Sequence, residues 1–304
     1  MDSPTWTMRQ ALFCLIGSTS FTLVVSLSSY WAWTHFHQRR IHDEANRIVA
    51  IIQTGPEKEA LKTSYLAELL GLSADHPSQI YAFDLKKAEQ KLLASPLIQS
   101  AKIKRLPPNT LYIDYELRRP IARLIDYQNL GIDRDGYVFP IHPFFSPKNL
   151  AEVYLGLPAF GAPEDAMGRQ GGRWLTPIKN KHLHLAFEIL QFLEGSSWRE
   201  GLRVKRIDVS NAFAPSLGQR EIVLFTEEEL SVRKDVQEIV CVFPKILRLA
   251  PKEYGPQLNN FFALKRNMME DYRRQLTGVQ QSGRFHPRII DLRIPQLAFV
   301  QNQS

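Results

Sequence analysis

The sequence predicts an α+β protein: an N-terminal transmembrane helix, then a domain of order strand-helix-helix-strand-strand, then a mostly antiparallel β-domain with flanking helices. Three observations lead to this fold class. No charged residue occurs in residues 11–33, whereas apolar runs with strand or helix spacing fill residues 48–118. Strand-like runs recur from Gly131 to Val300, with two helical patterns among them. The length of 304 residues allows roughly two compact domains beside the membrane segment.

The composition argues against several classes of function. Basic residues exceed acidic ones by seven, but they are scattered and form no run of five like charges, which gives little support for a nucleic-acid surface. Cys14 and Cys241 lie far apart, which supports neither a disulfide framework nor a zinc site. Nucleophile elbows, zinc-protease helices, Walker loops and Rossmann fingerprints do not occur in the sequence. We therefore predict a protein without catalytic residues, cofactor, metal or small-molecule substrate.

The first predicted element is the apolar helix Ala11–Trp33. At about 1.5 Å per residue, its twenty-three residues cross a hydrocarbon core of about 30 Å. Trp6 before the helix and Tyr30, Trp31 and Trp33 at its end suit the two interfacial belts of a membrane.

Two questions stay open for this helix. In a cleaved signal peptide, Ser26 and Ser28 would be the small residues before the cleavage site. Against this alternative, the positively charged region before the apolar stretch has only one basic residue, Arg9. Charge does not fix the orientation, because three arginines in residues 39–47 outnumber Arg9. This count is opposite to the positive-inside rule for an exported C-terminal region.

One face of the helix carries small side chains, because Cys14, Ser18, Thr22 and Ser26 recur every four residues. We predict that a partner helix packs closely against this face. The alternative is that the hydroxyl groups only bond to their own backbone carbonyls one turn earlier.

Five elements are predicted in the first soluble domain, in the order strand, helix, helix, strand, strand: Ile48–Gln53, Leu61–Leu72, Leu85–Leu92, Ile98–Arg105 and Leu111–Leu117. Asp84 is a suitable N-cap for the second helix, and a Pro-Pro-Asn sequence connects the last two strands. In the final strand, apolar residues alternate with Tyr112, Asp114, Glu116 and Arg118. This alternation predicts one face buried against the helices.

The last hairpin carries a specific pattern at Ile103, Arg105, Pro108, Leu111, Ile113, Glu116, Arg119, Pro120 and Ala122. These residues resemble, in register, the V-x-R-x-x-P-x-x-L-x-I and E-R-x-P-x-A motifs of the POTRA domain in the FtsQ/DivIB family of bacterial cell division proteins. Leu117-Arg118 stands where that family commonly has one residue fewer. The resemblance implies a POTRA domain.

The β-domain opens with two short strands about an Asp-Gly turn in Gly131–Phe139. Asp133 and Asp135 could suggest calcium, but the further ligands of an EF-hand loop are missing, so we favour the turn. A helical pattern and two strand-like runs follow at Leu183–Leu193, Val204–Val209 and Glu221–Thr226.

Family signatures return near the end of the chain. Pro256–Leu276 predicts a helix whose apolar stripe belongs in the core. Arg288–Ile294 contains residues similar to the family's V-D-L-R core as Ile290, Asp291, Leu292 and Arg293, and we predict that Pro295–Val300 continues this strand. Leu157–Gly161 resembles a second, Leu-Pro-x-x-Gly signature. Glu227–Lys245 is longer and more polar than the family pattern, so its structure stays undetermined.

The resemblance also implies a function. FtsQ-like proteins hold FtsB and FtsL in the divisome and so act on septal peptidoglycan synthesis. An open edge strand, with free N–H and C=O groups, can accept a partner's strand. By resemblance, we assign this partner-binding edge to Asp291, Leu292, Arg293, Ile294, Gln296, Leu297, Ala298, Phe299 and Val300. Pro295 would remove one donor from it.

The predicted organisation is a cytoplasmic tail at 1–10, a transmembrane helix at 11–33, a linker at 34–45, a POTRA domain at 46–122 and a β-domain at 123–304. The resemblance implies a single-pass inner-membrane protein with a cytoplasmic N-terminus and periplasmic C-terminal domains. One alternative is a POTRA-bearing envelope transport or chaperone component, which would guide other chains by strand addition. Another is an anchored envelope hydrolase, which should show a nucleophile or metal constellation.

Overall fold

A computed structural model describes residues 8–73, 75, 77–146, 148–158, 176–195, 202–234, 237–276 and 282–302. Trp6 and the last three residues of the Leu157–Gly161 signature lie outside the described residues. The chain divides into two compact units, residues 1–93 with 100–116 and residues 94–99 with 117–304. An apolar N-terminal helix, a small α/β unit and a larger sheet with flanking helices confirm the predicted α+β class.

Helix α1 spans Met8–His42. Its stretch Leu12–Arg39 contains an 18-residue window with a mean hydropathy of 1.7 and is long and apolar enough to cross a membrane. The hydroxyl of Ser18 donates to the Leu15 carbonyl at 3.1 Å, and that of Thr22 donates to the Ser18 carbonyl at 3.0 Å. These bonds satisfy polar groups without water, as a hydrocarbon environment requires. The helix continues past Trp33, so much of the segment predicted as a linker is helical.

The small unit contains the predicted strand-helix-helix-strand-strand order, apart from the first two residues of β2 and the last residue of β3, which the division assigns to the other unit. The elements are β1 (Ala50–Thr54), α2 (Thr63–Leu70), α3 (Leu85–Leu93), β2 (Ile98–Leu106) and β3 (Thr110–Leu117). Its sheet has the order β1-β3-β2, and β1 runs parallel to β3. The Asp84 carboxylate accepts the Lys87 N–H at 3.1 Å, which confirms the predicted helix cap.

Two residues of the hairpin stabilise this unit: Arg105, which belongs to the motif, and Tyr115, which does not. The Arg105 guanidinium donates to the carbonyls of Ile80 and Phe83, each at 2.8 Å, and so fixes the loop that enters α3. The Tyr115 hydroxyl accepts the buried Leu61 N–H at 2.8 Å. These contacts assign a structural task to part of the family pattern.

The larger unit is built on one sheet of order β13-β12-β10-β9-β8-β7-β4-β5-β6, with β11 beside β10. The pairings are mixed: β9 and β10 are antiparallel, whereas β10 and β12 are parallel. The elements in chain order are β4 (Ala122–Leu124), β5 (Leu130–Ile132), β6 (Val138–Pro140), β7 (Ala151–Tyr154), α4 (Lys181–Gly195), β8 (Leu202–Asp208), β9 (Ile222–Lys234), β10 (Gln237–Leu249), α5 (Tyr254–Leu276), β11 (Gly283–Arg284), β12 (Arg288–Asp291) and β13 (Phe299–Asn302).

The core of the larger unit lies between one face of the sheet and the two helices. Leu224 and Leu247, paired across β9 and β10, share a buried cluster with Ile189 of α4 and Phe261 of α5. The residues that flank Leu224 and Leu247 in these strands, such as Phe225, point to the opposite face and are half-buried. The apolar stripe predicted for the last helix therefore faces the core.

The described residues of the polar segment Glu227–Lys245 lie in two paired antiparallel strands of thirteen residues each, β9 and β10. Two of its charged residues, Glu228 and Lys245, are buried and form an ion pair with each other. A charged residue is tolerated inside a sheet when it has such a partner.

Arg118 is also buried, which differs from its predicted place among solvent-facing residues. Strand β3 ends at Leu117, and the Arg118 guanidinium then binds the buried Asp133 carboxylate at 2.9 Å. Asp133 accepts the backbone N–H groups of Asp135 and Tyr137 at 3.1 and 2.8 Å, which confirms the Asp-Gly turn.

Candidate partner-binding edge

The C-terminal strand is shorter than predicted. β12 ends at Asp291, the chain turns through residues 292–298, and β13 returns antiparallel to β12. The prediction that Pro295–Val300 continues β12 is therefore wrong. The turn has local causes: Asp291 accepts the Arg293 N–H at 3.1 Å, and Gln296 adopts a φ of 61°. Pro295 also favours a turn because it has no N–H to donate to a ladder.

This turn makes β13 the edge of the sheet. β12 pairs with β10 on one side and with β13 on the other. β13 stands last in the strand order, and among the described strands only β12 pairs with it. A row of its backbone groups is thus available to an added strand.

The predicted binding residues occupy three environments. Phe299 and Val300 lie in the edge strand, whereas Asp291 lies in the covered strand β12. Leu292 is buried, with 1% exposure, and Arg293 is partly buried. The remaining four are exposed in the turn: Ile294, Gln296, Leu297 and Ala298.

An exposed apolar patch accompanies the edge strand. Ile294, Leu297, Phe299 and Val300 are 50%, 53%, 56% and 43% exposed. We call these four residues the hairpin patch. Several large exposed apolar side chains within one short segment mark an interaction surface more often than isolated ones do.

The strand register places the patch on both faces of the sheet. Phe299 lies opposite Asp291, which neighbours Arg248 of β10, so these three side chains share one face. Val300 lies opposite the buried Ile290 and shares the face that carries the core. A strand added beside β13 would therefore meet an apolar side chain on each face.

An ion network holds the turn beneath the patch. The Arg293 guanidinium binds Asp291 through Nε at 3.0 Å and Nη2 at 2.7 Å. Arg248 binds Glu221 at 2.6 Å and lies 3.4 Å from Asp291. Burial alone would raise the pKa of Asp291, but the hydrogen bonds and charge of Arg293, together with Arg248, lower it overall. Asp291 and Arg293 thus position the turn.

Sequence reasoning missed two kinds of residue here. Gln301 and Asn302 complete the edge strand, and the Pro295-Gln296 turn signal before a new short run would have indicated them. Glu221 and Arg248 join the ion network only because β9, β10 and β12 lie side by side. Their spacing along the chain carries no such signal.

The small-residue face of α1 is a separate predicted contact. The described side chains at Cys14, Ser18, Thr22 and Ser26 are exposed, as expected for a helix surface open to a membrane or a partner. Since Ser18 and Thr22 already bond to backbone carbonyls, close packing of a partner helix there stays a prediction. Within the described ranges, no group of three or more His, Cys, Asp or Glu residues could hold a metal ion.

Residues 57–114 match the family model of the POTRA domain, FtsQ-type. The matched region contains α2, α3, β2 and most of β3. It includes five of the nine motif residues, from Ile103 to Ile113, whereas Glu116, Arg119, Pro120 and Ala122 lie beyond its end. A comparison with curated protein sequences finds no match.

Proposed function

We propose that this chain, which has the FtsQ-type POTRA domain and apolar N-terminal helix of the FtsQ/DivIB cell division family, is a scaffold of the divisome. The helix would fix it in the inner membrane, with the N-terminus in the cytoplasm and both folded units in the periplasm. The larger unit would bind partners of the FtsB and FtsL type and so recruit or regulate septal peptidoglycan synthesis. The protein would act by binding and would have no enzymatic activity.

The observation that carries this proposal is the edge strand β13 with its hairpin patch. Backbone groups on the outer side of an edge strand give affinity to any extended segment, and side-chain contacts select the partner. Phe299 and Val300 would contact alternate side chains of an added strand, while Ile294 and Leu297 would extend the apolar contact into the turn.

The proposal is tested by co-purification from bacterial envelopes. The full chain is solubilised in detergent together with FtsB-type and FtsL-type proteins, and bound partners are quantified. We expect Phe299→Glu to reduce their recovery at least about tenfold, because a buried carboxylate at the new strand interface would lack a partner.

Tyr154→Glu is the matched control. Tyr154 is 36% exposed and lies on β7. Four strands of the same sheet separate β7 from β13. A spacing of about 4.8 Å between neighbouring strands puts this position outside the reach of a strand added at β13. Equal recovery with Phe299→Glu and wild type, or no recovery of such partners at all, would contradict the proposal.

The test also addresses the alternative in envelope transport. A POTRA domain would serve either role by strand addition. The FtsQ-type match favours cell division. Recovery of unfolded envelope proteins in place of coiled-coil division proteins would instead favour transport.

A further inference from the structure

A groove runs along α4 on the side of the β5–β6 turn. It consists of two adjoining clefts of about 460 and 320 Å³, which share Arg134, His184 and Phe187. We call the two clefts together the α4 groove. Each is large enough for a few side chains but not for a folded domain.

One wall of the groove is fixed in place. Gly136, in the β5–β6 turn, has a φ of 87°, and its carbonyl accepts the Ile178 N–H at 2.8 Å. A Cβ at Gly136 would lie 2.6 Å from the Ile178 carbonyl oxygen, so the turn and the entry to α4 are in close contact. Asp133 of the buried Asp133–Arg118 ion pair also stabilises this turn, because it accepts two backbone N–H groups from it. The groove is therefore formed before any ligand arrives, which lowers the entropic cost of binding.

The end of the groove near the start of α4 is basic. Arg134, Lys179 and Lys181 line it, against the single carboxylate of Asp135. Arg134 and Lys179 are exposed, and neither has a hydrogen-bond or ion-pair partner among the described residues. Other arginines of this unit, such as Arg206, are bound to carboxylates. The unpaired cations make this end complementary to carboxylates.

The middle of the groove, where both clefts meet at Arg134, His184 and Phe187, also contains apolar side chains, and its far end is acidic. Phe187 and Leu190 are half-buried and line the second cleft. Glu188 and Glu194 follow along α4, and Glu188 lies 3.5 Å from the imidazole of His184. From Lys181 to Glu194 the helix rises about 20 Å, so a small anion would occupy only one end. A linear ligand of mixed charge would use the whole groove.

We propose that the α4 groove binds a short peptide segment of a partner protein. The segment places carboxylates beside Arg134 and Lys179, an apolar side chain on Phe187, and basic residues beside Glu194. This contact is distinct from strand addition at β13, and it gives the larger unit a second attachment point. Rim charges of this kind select a partner and set its direction in the groove.

The probe is a random dodecapeptide library displayed on phage and selected on the full chain in detergent micelles. We expect enriched peptides with acidic residues on one side of an apolar residue and basic residues on the other. A labelled peptide of that sequence is then titrated by fluorescence anisotropy. Arg134→Glu with Lys179→Glu should weaken its binding at least about tenfold.

Three control measurements show whether a loss of peptide binding is specific to the α4 groove. Both substituted residues are exposed and form no ion pair with another described residue, so the thermal unfolding of the variant should match wild type. Lys252→Glu, a charge reversal at an exposed turn outside the groove, should bind the peptide normally. Phe299→Glu should also bind it normally, so failure of this proposal is distinguishable from failure of the one for β13.

A charge swap completes the test. A peptide with its acidic residues changed to lysine should bind the doubly reversed variant better than it binds wild type. The proposal is overturned if no charge pattern is enriched, or if the reversed variant binds the acidic peptide as tightly as wild type does.

Discussion

The polar strands β9 and β10 can lie within a sheet because their buried charged side chains form ion pairs. The side chains of Lys245 and Glu228 are 0% and 1% exposed and form an ion pair, and the Lys265 ammonium lies 3.0 Å from the same carboxylate. The rings of Tyr272 and Phe261 lie 5.2 and 5.9 Å from the Lys245 ammonium. Burial lowers the pKa of Lys245, and the charge of Glu228 opposes this shift. Neither charge would be stable at this buried position without an oppositely charged partner.

Removing one member of this pair should therefore cost much more than removing an exposed charge. We expect Lys245→Met to reduce the free energy of unfolding by about 3 kcal/mol, because Glu228 would lose its fully buried partner and keep only the less buried Lys265 ammonium. Urea unfolding of the full chain in detergent micelles, followed by circular dichroism, measures the change. Lys252→Met, at an exposed position, should change it by less than about 0.5 kcal/mol. Similar losses in both variants would argue against a stabilising pair.

The turn after β12 should depend on pH through Asp291. Arg293 and Arg248 hold the pKa of Asp291 below its ordinary value of 3.8 in the folded protein, despite the opposing effect of burial. The ionised carboxylate thus stabilises the fold above pH 3.8, and this contribution is lost as the pH falls through the lower, folded-state pKa.

Thermal unfolding of wild type and Asp291→Asn, measured between neutral and strongly acidic pH at constant ionic strength, tests this effect. The wild type should be more stable at neutral pH, and the difference should shrink in acid. A difference that does not change with pH would show that the carboxylate charge has no such role.

At the scale of elements, backbone geometry restricts which residue the β5–β6 turn can hold at position 136. Gly136 has a positive φ and contacts the backbone of Ile178, so Gly136→Ala would strain the turn and meet an oxygen that cannot move aside easily. We expect a loss of about 2 kcal/mol or more in the free energy of unfolding.

Gly218→Ala provides the comparison, because a Cβ there meets no atom within 4 Å. This second variant should unfold close to the wild-type temperature. The same pair of variants also reports on the α4 groove, since Gly136→Ala should weaken peptide binding there and Gly218→Ala should not. Equal stability of the two alanine variants would contradict the geometry of the turn.

The elements also show how far local patterns extend. The five elements of the small unit could be predicted because each has a clear period, a cap or a proline at its end, as at Asp84. The break between β12 and β13 differs from the strand that the family motif predicts, because Pro295 lacks an N–H for the ladder and Gln296 adopts a positive φ. The long hairpin of β9 and β10 was undetermined because its charges find partners only across strands.

At the scale of the whole molecule, α1 should anchor the chain to a membrane. After extraction with alkaline carbonate, we expect the full chain to stay in the membrane pellet, because Leu12–Arg39 can span a bilayer. A variant that begins at residue 43 should be released to the supernatant. N-terminal sequencing of the mature protein is the control: a start shortly after Ser28 would reveal a cleaved signal peptide and contradict the anchor.

Local sequence patterns predict a helix long and apolar enough to cross a membrane, the order of elements in the small unit and the strand-rich character of the rest, because these features depend on neighbours within a few residues. The identity of the edge strand depends instead on tertiary contacts, because it follows from how the chain turns at residues 292–298 and from which strands pair with β12. The same holds for the hairpin patch, the Lys245–Glu228 pair and the α4 groove. Each brings together residues far apart in the chain, and pairing across a sheet leaves no local pattern from which to read such contacts.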